Sequence, residues 1–298
     1  MTEALMPQTL IPPSSLDENS LERLIVQMSG LPRDSGTLNL DLGRVEFIDP
    51  CGMVGLLELG RYFAQQGHKL LLHLPLSMEV QRCLDQMEFF RHLSEFYIMY
   101  PPYRPLAARA RQVQQSDVLL EITRIAQSDD IPRIIGKVKE RTRAILEAHL
   151  HYKEDAIQGF LVALHEICQN ILEHSQNTGL AGIQKYFDEK HLNKNAVKVA
   201  VMDLGIGFKG SLSSRPGLRH GEQWSDIAAL EEALLNGAGR GHGLATVKEF
   251  VQRWGGKLSI RSGTARLLFL SDREHGSERE TGLSEFPGVL ISLVLSEV

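Results

Sequence analysis

Glu166-Ile-Cys-Gln-Asn170, Asp203-Leu-Gly-Ile-Gly207 and Gly239-Arg-Gly-His-Gly-Leu244 follow one another in the second half of the chain. Each alone has a bland explanation: a polar helix face, a turn at a strand end, a loop rich in glycine. In this order they bring three different chemistries into one domain. Residues 154–174 read as a helix on which Ile157, Phe160, Leu164, Ile167 and Ile171 form an apolar stripe. Glu166, Asn170 and His174 recur every four residues on a neighbouring face, so the helix packs with one side and presents a carboxylate and an amide on another.

A carboxylate and an amide oxygen one helical turn apart suit a ligand rich in phosphate. The amide oxygen can coordinate a magnesium ion that bridges phosphates, while the carboxylate orients or deprotonates an attacking hydroxyl or water. Asp203 closes an apolar strand at residues 197–202, and the glycines after it let the backbone turn tightly with the carboxylate aimed inward. Such an acceptor takes the exocyclic amine of adenine and rejects guanine, which has a carbonyl oxygen there; an Asx turn is the plain alternative. The third motif opens a helix, where unpaired amides and the helix dipole favour phosphate. A dinucleotide fingerprint would need a strand directly before it, and a helix and a loop stand there instead.

The three motifs resemble the N, G1 and G2 boxes of the ATPase superfamily that includes gyrase, Hsp90, histidine kinases, MutL and the anti-sigma serine kinases. The likeness covers residues 117–298 and implies ATP and Mg2+ as ligands. It makes Glu166 the general base, Asn170 the magnesium ligand and Asp203 the adenine acceptor. Gly205, Gly207, Gly239, Gly241 and Gly243 become the loop glycines, with His174 and Leu244 beside the nucleotide. Residues 208–238 would be the ATP lid, with Lys209, Arg215, Arg219 and Arg240 as phosphate contacts. Sensor histidine kinases usually carry a basic residue where this chain has Glu173, and no upstream dimerisation helix with a phosphoacceptor histidine is evident. His165-Glu166 looks like a phosphoacceptor pair but lies inside the box itself. Asn170 followed by His174 is similar to the anti-sigma serine kinases.

Outside the motifs, the chain is long enough at 298 residues for two hydrophobic cores. With 43% hydrophobic and 23% charged residues it has a globular composition, and no apolar run approaches the roughly 20 residues of a membrane span. Met1-Thr2-Glu3-Ala4 lacks a secretory start, so a cytoplasmic address is expected. The formal net charge of −5 gives no general case for binding nucleic acid. Cys51, Cys83 and Cys168 have no metal-ligand spacing and read as reduced thiols.

The first hundred residues read as a small α/β unit, with strands at 37–42, 45–48 and 69–74 and helices at 53–65 and 78–85, the second capped by Ser77. A boundary falls in 101–116, where Tyr100-Pro-Pro-Tyr-Arg-Pro105 disfavours regular structure and Arg104, Arg109 and Arg111 read as solvated linker. Further on, a strand at 118–125, a helix from Asp129 or Asp130 to about 150 and a helix at 225–235 are expected. After the last helix, 244–254, strands at 257–261, 265–270 and 289–295 flank a hydrophilic excursion at 271–285. No internal repeat of fixed period is present.

Residues 37–92, through Val45-Glu-Phe-Ile-Asp-Pro-Cys-Gly-Met-Val-Gly-Leu-Leu57, resemble the STAS domain of anti-anti-sigma factors. That family's phosphorylated serine is here replaced by Pro50, which has no hydroxyl, so docking or homodimer formation is implied rather than modification. The expected fold class is α/β: a STAS-like domain (1–100), a linker (101–116) and an ATPase α/β sandwich (117–298) with a mixed, mostly antiparallel sheet and helices on one face. The leading expectation is a partner-switching regulator that binds ATP and Mg2+ and acts, as a protein serine kinase, on a separate STAS-type or sigma-factor-like protein. A non-catalytic nucleotide-dependent module and an ATP hydrolase that dimerises on ATP remain open alternatives. No membrane or nucleic-acid partner is expected.

Overall fold

The structure, a computed structural model, describes residues 8–30, 36–104, 117–188, 193–213, 224–235, 243–271 and 277–297, apart from the side chains of Arg143, His174, Asp188 and Leu235. The chain divides between Gln115 and Ser116 into two units.

Unit 1 begins with β1 (Gln8–Leu10), β2 (Ser15–Leu16) and α1 (Glu18–Ser29), none of which the sequence reading anticipated. The helix has plain causes. Asp17 accepts the Ser20 amide as N-cap, and Leu21, Leu24, Ile25 and Met28 recur at spacings of three and four to bury one face. Then come β3 (Thr37–Asp41), β4 (Phe47–Ile48), α2 (Pro50–Gln65), β5 (Lys69–His73), α3 (Met78–Gln86), α4 (Phe89–Leu93) and β6 (Tyr97–Tyr100). α2 starts three residues before the expected position. Asp49 accepts the Gly52 amide at 2.9 Å, and Pro50 fits a first turn that needs no donor. Ser77 caps α3. The main sheet runs β1-β3-β5-β6 with every pair parallel, and β2 pairs with β4 beside it.

Unit 2 contains β7 (Val118–Ile125), α5 (Asp130–Thr142), α6 (Glu154–Asn170), β8 (Gly179–Asp188), β9 (Lys194–Asp203), α7 (Gly207–Ser213), α8 (Asp226–Leu235), α9 (Gly243–Trp254), β10 (Lys257–Leu270) and β11 (Ser277–Ser296). Its five strands run β10-β11-β9-β8-β7, all antiparallel, so the α/β fold class holds. Phe160 and Leu164 of α6, Val247 and Phe250 of α9, and Val197, Val199 and Val201 of β9 share one core. From Ala196 onward β9 is buried on both faces, which is why it reads as a continuous apolar run rather than an alternating one.

Three expectations need correction. The helix expected to run to about residue 150 leaves α-geometry after Thr142 and continues as a π-helical turn, Arg143–Glu147. α7 was not foreseen within the stretch taken as lid. The hydrophilic segment expected as a surface excursion is largely strand: residues 277–281 pair with 265–269 as an extension of β10 and β11. Its outer residues stay exposed, and the backbone ladder and the Arg266–Glu280 ion pair at 2.6 Å hold it without an alternating apolar pattern.

Candidate functional site

Asp203 is the last residue of β9, between Gly179 of β8 and Val289 of β11. Its side chain is buried, and one carboxylate oxygen accepts the Gly205 amide at 2.7 Å. The following turn is fastened to the segment beyond α6. The Ile206 amide donates to the Ser175 carbonyl at 3.2 Å, and Asn177 Nδ2 donates to the Leu204 carbonyl at 3.2 Å. A Cβ on Gly205 would lie 2.1 Å from the Ser175 carbonyl oxygen, so this glycine is required by backbone passing backbone. Gly207 has φ +66°, in the region that favours glycine, and starts α7; the Phe208 amide then donates to Ser262 Oγ at 3.1 Å.

α6 ends at Asn170, four residues short of the expected end. Ile171–Ser175 forms a π-helical turn, and Gln176 takes a left-handed conformation. The regular four-residue spacing from Glu166 through Asn170 to His174 therefore stops at Asn170; the His174 side chain is outside the described set. Asn170 Nδ2 donates to the Glu166 carbonyl at 2.7 Å, which commits the amide nitrogen and leaves the amide oxygen for a ligand. Glu166 is half-buried, and its carboxylate makes no hydrogen bond or ion pair among the described residues.

One pocket joins these elements. Asn170, Ser175 and Asp203 line it together with apolar walls that include Ile167, Ile171, Val201 and Phe208. Its free volume is about 10 Å³, room for about one water, so admitting a base requires the walls to part. Apolar walls around one buried carboxylate fit a flat heteroaromatic ring anchored at a polar edge. Among the described residues no three His, Cys, Asp or Glu side chains cluster to hold a metal. A magnesium ion at Asn170 would therefore draw its other ligands from phosphates and water, the usual state of that ion. Glu166 is not among the residues lining the pocket.

Of the glycine motif, Gly239, Arg240 and Gly241 lie outside the described residues, as do Arg215 and Arg219. Gly243 opens α9 with φ +45° and open space around it, whereas Leu244 points into the core at 2% exposure. Lys209 is exposed on α7. α8, within the stretch read as lid, is firmly fastened. Asp226 accepts the Thr264 amide at 3.1 Å and its hydroxyl at 2.7 Å, Glu231 pairs with Arg279 at 2.7 Å, and Ala229 and Leu230 are fully buried. Trp224 Nε1 donates to Ser213 Oγ at 2.9 Å.

Sequence reasoning missed Ser175, Asn177, Asp226 and Ser262. Ser175 and Asn177 carry a weak signal, a serine and an asparagine two apart after a helix. Ser262 and Asp226 carry none, because their partners are distant in sequence. Cys168, on the core side of α6, is fully buried, and burial pushes its thiol up to about 12. All three cysteines are free.

Residues 157–281 match the model of the family described as histidine kinase-, DNA gyrase B- and HSP90-like ATPase. No curated protein and no solved structure matches the chain. The match supports an ATP-binding domain of the GHKL type in unit 2, and domains of that type bind ATP with Mg2+. Among the described residues no helix is long and apolar enough to cross a membrane.

Proposed function

We propose that the chain is a cytoplasmic regulator of the partner-switching type, in which ATP and Mg2+ in unit 2 control the binding and phosphorylation of a separate STAS-type or sigma-factor-like protein. The observation that carries the nucleotide part is the convergence of Asn170 and Asp203 on one apolar pocket. Asp203 supplies the acceptor for adenine, and the Asn170 amide oxygen faces the phosphate end. Glu166, half-buried one turn before Asn170, is the base that takes a proton from the acceptor hydroxyl.

Unit 1 supports the switching part. Its parallel sheet and its helix beginning at Pro50 suit the STAS-like reading. Pro50 and the buried Cys51 at the start of α2 offer no acceptor for phosphate, so the acceptor lies on another protein. A second reading, a module that holds nucleotide without turning it over, is favoured by one observation: Glu166 does not line the pocket.

Radiolabelled ATP with candidate STAS partners, read beside calorimetric ATP binding, separates the two. Glu166→Ala should lower phosphotransfer at least a hundredfold, the scale of a lost general base, while ATP affinity stays within about twofold. Asp203→Asn should weaken ATP binding by tenfold or more, because the amide turns a donor toward the adenine amine. Unchanged transfer in Glu166→Ala removes Glu166 as the base, and no transfer from the unsubstituted chain to any STAS partner, with ATP still bound, removes the kinase reading and leaves the module; unchanged ATP affinity in Asp203→Asn removes the pocket itself.

A further inference from the structure

Unit 1 holds a second cleft, unconnected with the nucleotide reading. Its volume is about 450 Å³, within the range of small-molecule sites, and it is lined by Ile11, Pro12, Pro13, Ser14, Arg23, Leu24, Gln27 and Arg44. Three separate pieces of chain build it: the loop after β1, one face of α1, and the turn after β3. β1 and β3 are adjacent parallel strands, so the cleft sits at their carboxyl ends, where open parallel α/β sheets place ligands.

The walls are fixed before any ligand arrives. The Ser14 carbonyl accepts the Glu46 amide at 2.7 Å and the Phe47 amide at 3.1 Å, and β2 pairs with β4 directly beyond, tying the two loops together. Pro12 and Pro13 stiffen the first loop, and Leu24 is buried at 1% exposure beneath the opening.

The charge in the cleft is one-sided. Arg23 and Arg44 both line it, no carboxylate does, and neither arginine has an ion pair or hydrogen bond among the described residues. Both are exposed. Several other described arginines are paired with acids, as Arg61 is with Glu58, Arg141 with Glu121 and Arg266 with Glu280. Two guanidinium groups over an apolar floor, with Gln27 of α1 also lining the cleft, match a doubly charged anion on an apolar body. The planar fork of each arginine accepts phosphate or carboxylate oxygens in pairs.

We propose that this cleft binds a small organic anion, a phosphate monoester or a dicarboxylate carried on an apolar ring or chain. The ligand places its charged end between Arg23 and Arg44 and its apolar body over Pro12 and Leu24. This gives unit 1 a ligand of its own, distinct from whatever unit 2 binds.

The test uses the full chain with saturating ATP and Mg2+, so that the site in unit 2 cannot take the probe. Calorimetric titration compares 1-naphthyl phosphate, naphthalene-1,8-dicarboxylate, inorganic phosphate, neutral 1-naphthol and an acidic decapeptide. One of the two ring-bearing anions should bind one to one, at least tenfold tighter than inorganic phosphate or naphthol, and which one wins names the charged group. Arg23→Gln and Arg44→Gln should each weaken it tenfold or more and leave the urea midpoint and ATP affinity unchanged, since both side chains are exposed. Equal binding of naphthol, or affinity that survives the double substitution, overturns the proposal. Tighter binding of the acidic decapeptide overturns it in favour of a protein surface. Because the probe is read with unit 2 saturated and through arginines of unit 1, failure here leaves the nucleotide reading untouched.

Discussion

At Gly205 a single added methyl group would fall 2.1 Å from the carbonyl oxygen of Ser175, and that oxygen is already accepting the Ile206 amide. A backbone atom cannot rotate aside as a side chain does. Gly205→Ala should therefore cost about 2–3 kcal/mol of stability, at the upper end of overpacking, and weaken ATP binding with it; urea unfolding and calorimetry on the same preparation check both. Gly243→Ala is the contrast. Nothing lies within 4 Å of its missing Cβ, so it should lose only about 1 kcal/mol for a left-handed φ of +45°. The sequence showed that these positions are glycines but not why. Gly243 reads as part of a phosphate cradle and Gly205 as a turn after Asp203, whereas Gly205 is explained by a neighbour thirty residues earlier that no local pattern announces. Asp203 and Asn170 were legible because a strand end and a helix turn fix where such side chains point.

Elements were legible in proportion to how much of their order is local. β7 was read to the residue because eight residues of strand fit one pattern, and the start of α3 because Ser77 caps it. β11 was not, because seven of its 20 residues are exposed, four of them charged, and its outer stretch is held by pairing with β10. α8 was read as an amphipathic helix in a lid, yet its anchoring rests on Asp226, whose partner Thr264 is 38 residues away. Asp226→Ala should lower stability by about 1–2 kcal/mol, the worth of the lost hydrogen bonds from Thr264. If α8 also sets the nucleotide site, ATP affinity should fall in the same variant. The far end of β11 makes a pH-dependent contact. The Tyr152 hydroxyl donates to the Ser296 carbonyl at 3.2 Å, and burial raises its pKa from the usual 10 to about 12. A raised folded pKa means that this stabilisation is complete below pH 10 and is lost as pH climbs through 12. The unfolding midpoint should drop across that interval, and Tyr152→Phe should flatten the drop.

At the scale of the whole chain, two units with separate sheets imply that heat unfolding need not be a single two-state event. ATP with Mg2+ at a hundred times Kd should stabilise unit 2 by about 2.7 kcal/mol. For a domain of its size this moves its transition by several degrees. Scanning calorimetry with and without nucleotide checks the shift, and Asp203→Asn should abolish it. The number of units was legible from length and from the proline-rich stretch between them. The parallel order of the first sheet was not, because register between distant strands leaves no trace in a single sequence. The joint that Ser175 and Asn177 make with Leu204, Gly205 and Ile206 also bears on anyone who edits this protein. A chimera cut at the edges of the recognisable motifs would carry Asn170 and Asp203 into a new host but leave behind the seam that sets their spacing. Such a graft would inherit the alphabet of the site without its grammar, and the smallest transplantable piece runs unbroken from α6 through the start of α7.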